Sequence, residues 1–85
     1  MNWEITFSAR ADRQFDRLDR NTQSRLGRRF DILEAGGQVD LIHLRGYRNR
    51  RRMRVGEWRV ILEFDRRTHH ILVVSISRRD RAYRR

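Results

Sequence analysis

Gly56-Glu57 sits between two runs of alternating apolar and polar residues, and it constrains this chain more than any other pair of positions. A Gly-X step flanked in this way predicts a two-residue β-hairpin with a mirror-image turn, since glycine enters a positive-φ corner at no steric cost. Opposed residues in such a hairpin sum to one constant. Val55 therefore faces Trp58, Arg54 faces Arg59, Met53 faces Val60 and Arg52 faces Ile61. Alternation puts Met53, Val55, Trp58, Val60, Leu62 and Phe64 on one face of the sheet and Arg52, Arg54 and Arg59 on the other.

The third apolar run of residues 50–83 repeats the pattern. A three-residue loop after Asp65 would bring His70, Leu72, Val74 and Ile76 to the apolar face. Ser75 would then lie beside Arg59, with Ser77 and Arg79 on the same side, while Ile61, Ile71 and Val73 would fall among the arginines. The expected sheet has one packed face and one face carrying at least four arginines. Like charges directly opposed across strands cost on the order of 0.2–1 kcal/mol per pair, and a bound anion is the simplest compensation.

The charge balance agrees with that reading. The 85 residues include 21 basic and 11 acidic side chains, a formal net charge of +10, and every one of the 21 is arginine. The planar guanidinium fork grips phosphate oxygens in pairs and stacks on bases, which makes nucleic acid the leading partner class. Codon usage favouring arginine would explain the missing lysines but not their placement on one sheet face. No basic amphipathic helix with an aromatic face argues for a membrane surface. A chain of this length is expected to form one domain, residues 1–85, burying roughly 60% of its unfolded surface. Without cysteine it has neither disulfides nor thiolate metal sites. With no secretory pattern or apolar run of roughly 20 residues either, a cytoplasmic location is expected.

The first half supplies a partner for the apolar sheet face. Residues 2–7 alternate Trp3, Ile5 and Phe7 on one side and read as a strand. Ser8 is a suitable cap for a helix running to about Asp19, with Ala11, Phe15 and Leu18 in its apolar stripe. Asn21 or Thr22 caps a second helix, where Leu26, Phe30 and Leu33 repeat the spacing until Gly36-Gly37 stops it. These stripes are core. Residues 38–49 read as a loop or a short extended segment. The predicted fold is a two-layer α+β domain of order β-α-α-β-β-β, with an N-terminal helical hairpin packed on an antiparallel sheet.

Little side-chain chemistry is available outside the arginines. His69 and His70 adjoin a turn and point apart, His43 stands alone, and Ser75 and Ser77 lack a base, so neither a metal site nor a serine nucleophile is expected. No cofactor is expected either, because no glycine-rich phosphate loop is present. Arginines with one phenol suit cleavage of RNA by its own 2′-hydroxyl. The protein then has to hold the phosphate in line, stabilise the added negative charge and move protons. Arginine holds its proton too firmly to act as a base. Tyr83 lies near the arginine face, where surrounding positive charge favours its phenolate. DNA lacks that hydroxyl, so RNA is the expected substrate.

The strand–helix–helix–three-strand order, the LRG at Leu44, Arg45 and Gly46, the segment RMRVGEWRVILEF and the terminal SRRDRAY resemble the RelE/ParE toxin superfamily over nearly the whole chain. The RelE branch of that resemblance implies a bacterial type II toxin that enters the ribosomal A site and cuts mRNA without a metal. It also implies a cognate antitoxin that wraps the toxin, with operator DNA met only through the antitoxin. Carried over by position, Arg52 and Arg54 match a basic pair and Arg59 the residue that steadies the phosphate. Arg79 matches the arginine after the last strand, suggested to stabilise charge or assist the leaving group, and Tyr83 the suggested base. Arg45, Arg48, Arg50, Arg51, Arg78 and Arg81 flank that set and are expected to contact RNA. Arg52 and Arg54 stand where the type member has lysines, which removes proton shuttling at those positions.

Two alternatives share the resemblance. One is a ParE-like inhibitor of DNA gyrase, and the other is an inactive toxin-fold RNA-binding protein. The presence of all five polar positions favours the RelE branch. For any single arginine the plain alternative is a solvated strand residue. The positive charge implies an antitoxin that is acidic in its wrapping segment, with an apolar helix against the helical layer or along a sheet edge.

Overall fold

A computed structural model describes residues 2–78. Their order is β1 (Glu4–Phe7), α1 (Ala9–Asp16), α2 (Arg20–Glu34), β2 (Leu41–His43), β3 (Arg50–Val55), β4 (Trp58–Asp65) and β5 (His70–Arg78). The five strands form one sheet in the order β1-β5-β4-β3-β2. Both helices pack on one face of it, where Leu26, Phe30 and Leu33 join Met53, Val55, Val60 and Leu62 in a single core. The two-layer α+β architecture expected from the sequence is present.

Local signals account for most boundaries. Ser8 caps α1 in an extended conformation, its Oγ accepting from the Ala11 amide at 3.0 Å. The same hydroxyl donates to the Val74 carbonyl at 2.8 Å, which ties the cap to β5. The helix stops at Asp16 rather than Asp19, with the amides of Arg17 and Leu18 closing short bonds to Gln14 and Phe15. Asp19 occupies the N-cap of α2, not Asn21 or Thr22, and Thr22 is buried inside the helix. Gly36 takes φ 84° and its amide reaches the Leu33 carbonyl, the left-handed stop that the glycine pair signals. Phe7 meets Phe15 and Phe30 edge-on at 5.6 and 5.4 Å, joining β1 to both helices.

The central hairpin has the predicted register from Val55↔Trp58 through Arg52↔Ile61. Gly56 takes φ 60° at its corner, and a Cβ there would meet the Arg25 guanidinium reaching over from α2. Gly56→Ala is therefore expected to lower stability by about 1–2 kcal/mol through backbone strain, readable as a shift in urea midpoint. An unchanged midpoint would show that the turn relaxes.

Three features differ from the sequence reading. The sheet is mixed rather than antiparallel, because β1 pairs with β5 in parallel, Ile5 opposite Ile71 and Phe7 opposite Val73. Residues 41–43 form a short antiparallel edge strand beside β3. The register of β5 also departs twice from the expected one. The loop after Asp65 has four residues, since Asp65 pairs with His70, and His69 completes it at φ 55° with its ring stacked on Trp3 at 4.7 Å. That extra residue reverses the alternation. Ile71 and Val73 enter the core, Leu72 turns away from it, and His70 bonds Thr6 on the opposite face at 2.7 Å. A bulge then opens between Leu62↔Val73 and Ile61↔Ser75, leaving Val74 unpaired in the ladder and returning Ile76 to the core opposite Val60. Arg59 consequently faces Ser77, not Ser75.

Candidate functional site

The face of the sheet away from the helices is built from rows of cross-strand partners. Nearest the Gly56 turn, Arg54 opposes Arg59, which in turn opposes Ser77 on β5. The next row on this face runs Ile42, Arg52, Ile61, Ser75 across four strands. The row beyond that holds Arg50, Glu63 and Leu72. Two directly opposed guanidinium groups thus start the face, and a third follows one row away, roughly 7 Å along the strand. Arg54 is exposed, Arg52 half-buried and Arg59 only 7% exposed.

The isoleucines explain how Arg52 is held. Ile42 and Ile61 flank it, and the apolar part of its stem has hydrocarbon on both sides. Its Nε is buried and has no hydrogen-bond partner among the described residues. A shielded N–H of that kind costs stability until an acceptor arrives, and an anion on this face would be one.

Charge is unevenly distributed over the face. Arg50 bonds Glu63 through Nε at 3.3 Å, and its guanidinium lies over the Tyr47 ring at 4.7 Å. The sum rule of the hairpin places Glu63 opposite Arg50, a signal that the arginine pattern alone obscures. Arg50 is thereby neutralised, and positive charge concentrates at the rows of Arg52, Arg54 and Arg59. Near His70, acidic Asp65 and Glu4 close the other end.

Other expected RNA contacts are dispersed. Arg51 points to the helix side, with its guanidinium over Phe64 at 5.3 Å. Arg78 lies opposite Trp58, stacks on that ring at 5.6 Å and bonds Glu57 at 2.6 Å, also away from the arginine rows. Arg45 and Arg48 are exposed in the link between β2 and β3. Arg79, Arg81 and Tyr83 lie outside the described residues. Among the described residues no three His, Cys, Asp or Glu side chains gather as a metal site, and no helix is long and apolar enough to cross a membrane.

Comparison with solved structures resolves the architecture. No family model matches the chain, and no curated protein does. An archaeal RelE, from the RelE–RelB complex of Pyrococcus horikoshii, superposes with a TM-score of 0.79 at 23% identity, covering 95% of this chain and 99% of that one. The fold is RelE-like. The intact RelBE toxin–antitoxin complex of E. coli matches at TM-score 0.76 and 16% identity, over 89% of this chain and 95% of the other. YoeB from Staphylococcus aureus, solved as a dimer, matches at 0.70 and 18%, over 88% and 94%. The RelE-like fold thus spans nearly all of both partners in each comparison. It places the arginine rows on the face that the two helices leave uncovered.

Proposed function

We propose that this RelE-like chain is the toxin of a type II toxin–antitoxin pair and acts in the cytoplasm as a metal-independent endoribonuclease on mRNA at the ribosomal A site. The observation carrying this reading is the grouping of Arg52, Arg54 and Arg59 in adjacent rows of one sheet face, with the buried Arg52 Nε lacking an acceptor among the described residues. A phosphodiester seated there would relieve the Arg54–Arg59 repulsion, accept from Arg52 and be held for attack by its neighbouring 2′-hydroxyl. As the pentavalent state gains negative charge, the same guanidinium groups bind it more strongly than the ground state. Proton transfer falls to Arg79 and Tyr83 in this scheme, with Tyr83 as base. An acidic antitoxin would silence the protein by neutralising the face, in keeping with the antitoxin-bound RelE structures it resembles.

The test is primer extension on mRNA from cells induced for the wild type and for Arg52→Ala/Arg54→Ala. Discrete cleavage sites in translated messages are expected with the wild type and their loss with the double variant. Intact messages alongside arrested replication would overturn the proposal in favour of a gyrase-directed inhibitor.

A further inference from the structure

A second basic site lies on the other side of the sheet, at the end remote from the Gly56 turn. Arg48, Arg51, Arg66 and Arg67 line an open pocket of about 590 Å³, with the Phe64 ring and Asn49 as its remaining main walls. Two contacts fix its shape. The Phe64 amide donates to the Asn49 carbonyl at 2.9 Å, holding the entrance of β3 against the end of β4. The Asp65 carboxylate accepts from the Arg67 amide at 3.0 Å, which folds the turn that carries Arg66 and Arg67. Asp65 is the one acid in the lining, and among the described residues none of the four guanidinium groups is ion-paired. Arg51 instead sits over the Phe64 ring, its Cζ 5.3 Å from the ring centre, and both side chains line the pocket.

From these contacts we infer that the pocket binds one nucleotide of single-stranded RNA, its phosphate among Arg48, Arg66 and Arg67 and its base stacked on the Arg51 guanidinium. Guanidinium forks match phosphate oxygens, and a planar cation backed by an aromatic ring forms a stacking platform for any base. An acidic polypeptide fits less well. Its helices need an apolar groove, and Phe64 is the one large apolar side chain in the lining. Arg51 and Arg54 are three positions apart on β3, roughly 10 Å, and on opposite faces, so this site is separate from the arginine rows.

The inference does not depend on cleavage. Binding is read by fluorescence anisotropy with a short labelled 2′-O-methyl oligoribonucleotide, which cannot be cut, so a protein without ribonuclease activity can pass or fail this test. Arg66→Ala/Arg67→Ala, on an exposed turn, is expected to weaken binding roughly tenfold. It should also flatten the slope of log affinity against log salt by about 0.7 for each arginine that meets a phosphate. Arg51→Ala should weaken the base-bearing chain but not an abasic chain of equal length. RNA affinity of the double variant within twofold of the wild type would overturn the site, as would a loss confined to a polyglutamate probe. Equal loss of both chains with Arg51→Ala would overturn the stacking of the base.

Discussion

Arg59→Ala is expected to slow cleavage of ribosome-bound mRNA by about 10²–10³-fold, the usual loss when one preorganised donor to a developing oxyanion is removed. The size of the effect follows from position. Arg59 is 7% exposed, paired in register with Arg54 on one side and Ser77 on the other, so its guanidinium acts from a site largely shielded from water. Arg59→Lys keeps the charge but loses the planar fork, and should recover part of the rate without restoring it. Single-turnover cleavage on programmed ribosomes reads both, with thermal melts of each variant confirming that it is folded. A folded Arg59→Ala protein that cuts at the wild-type rate would remove Arg59 from the chemistry.

Leu62→Ala should produce the largest loss of stability, about 2–5 kcal/mol. Leu62 is wholly buried in the central strand β4, between Arg51 on β3 and Val73 on β5. The surrounding ladder fixes the backbone on both sides and limits collapse around the missing atoms. At roughly 0.05–0.15 kcal/mol per residue, a domain of this size has only about 4–13 kcal/mol in total. Chemical denaturation should therefore show a much lower midpoint at similar slope. A loss under 1 kcal/mol would mean that the core repacks at this position.

The hairpin and the helical stripes were legible because each rests on a local rule. Gly56 fixes the register from Arg52 to Ile61, and the spacings of Leu26, Phe30 and Leu33 mark the buried side of α2. The last strand was not legible by the same means. Its face depends on a loop one residue longer than expected, ended by a left-handed histidine, and on a bulge at Val74. Neither carries a residue-type signature, since a histidine at positive φ and a valine in a bulge are set by tertiary contacts such as the Trp3 stack and the Ser8 bond. Ile71 and Val73, awkward on an arginine face, were the one internal warning. The parallel pairing of β1 was equally hidden, because strand order across 66 positions has no local trace. Within the site, Arg52, Arg54 and Arg59 could be grouped by arithmetic. Arg51 and Arg78 belong by residue type to the expected RNA contacts, yet strand parity turns both away from those rows.

The position of β5 between β1 and β4 has a consequence for synthesis. β1 leaves the ribosome well before β5, so Ile5 and Phe7 wait for partners until Ile71 and Val73 emerge. Closure over such a separation is slow, and until then α1 lacks β5, the strand it packs against. Ser77 reaches Arg59 at the same late moment. A chain cut short before β5 would therefore leave Ile5, Phe7 and Arg59 without the partners that β5 gives them.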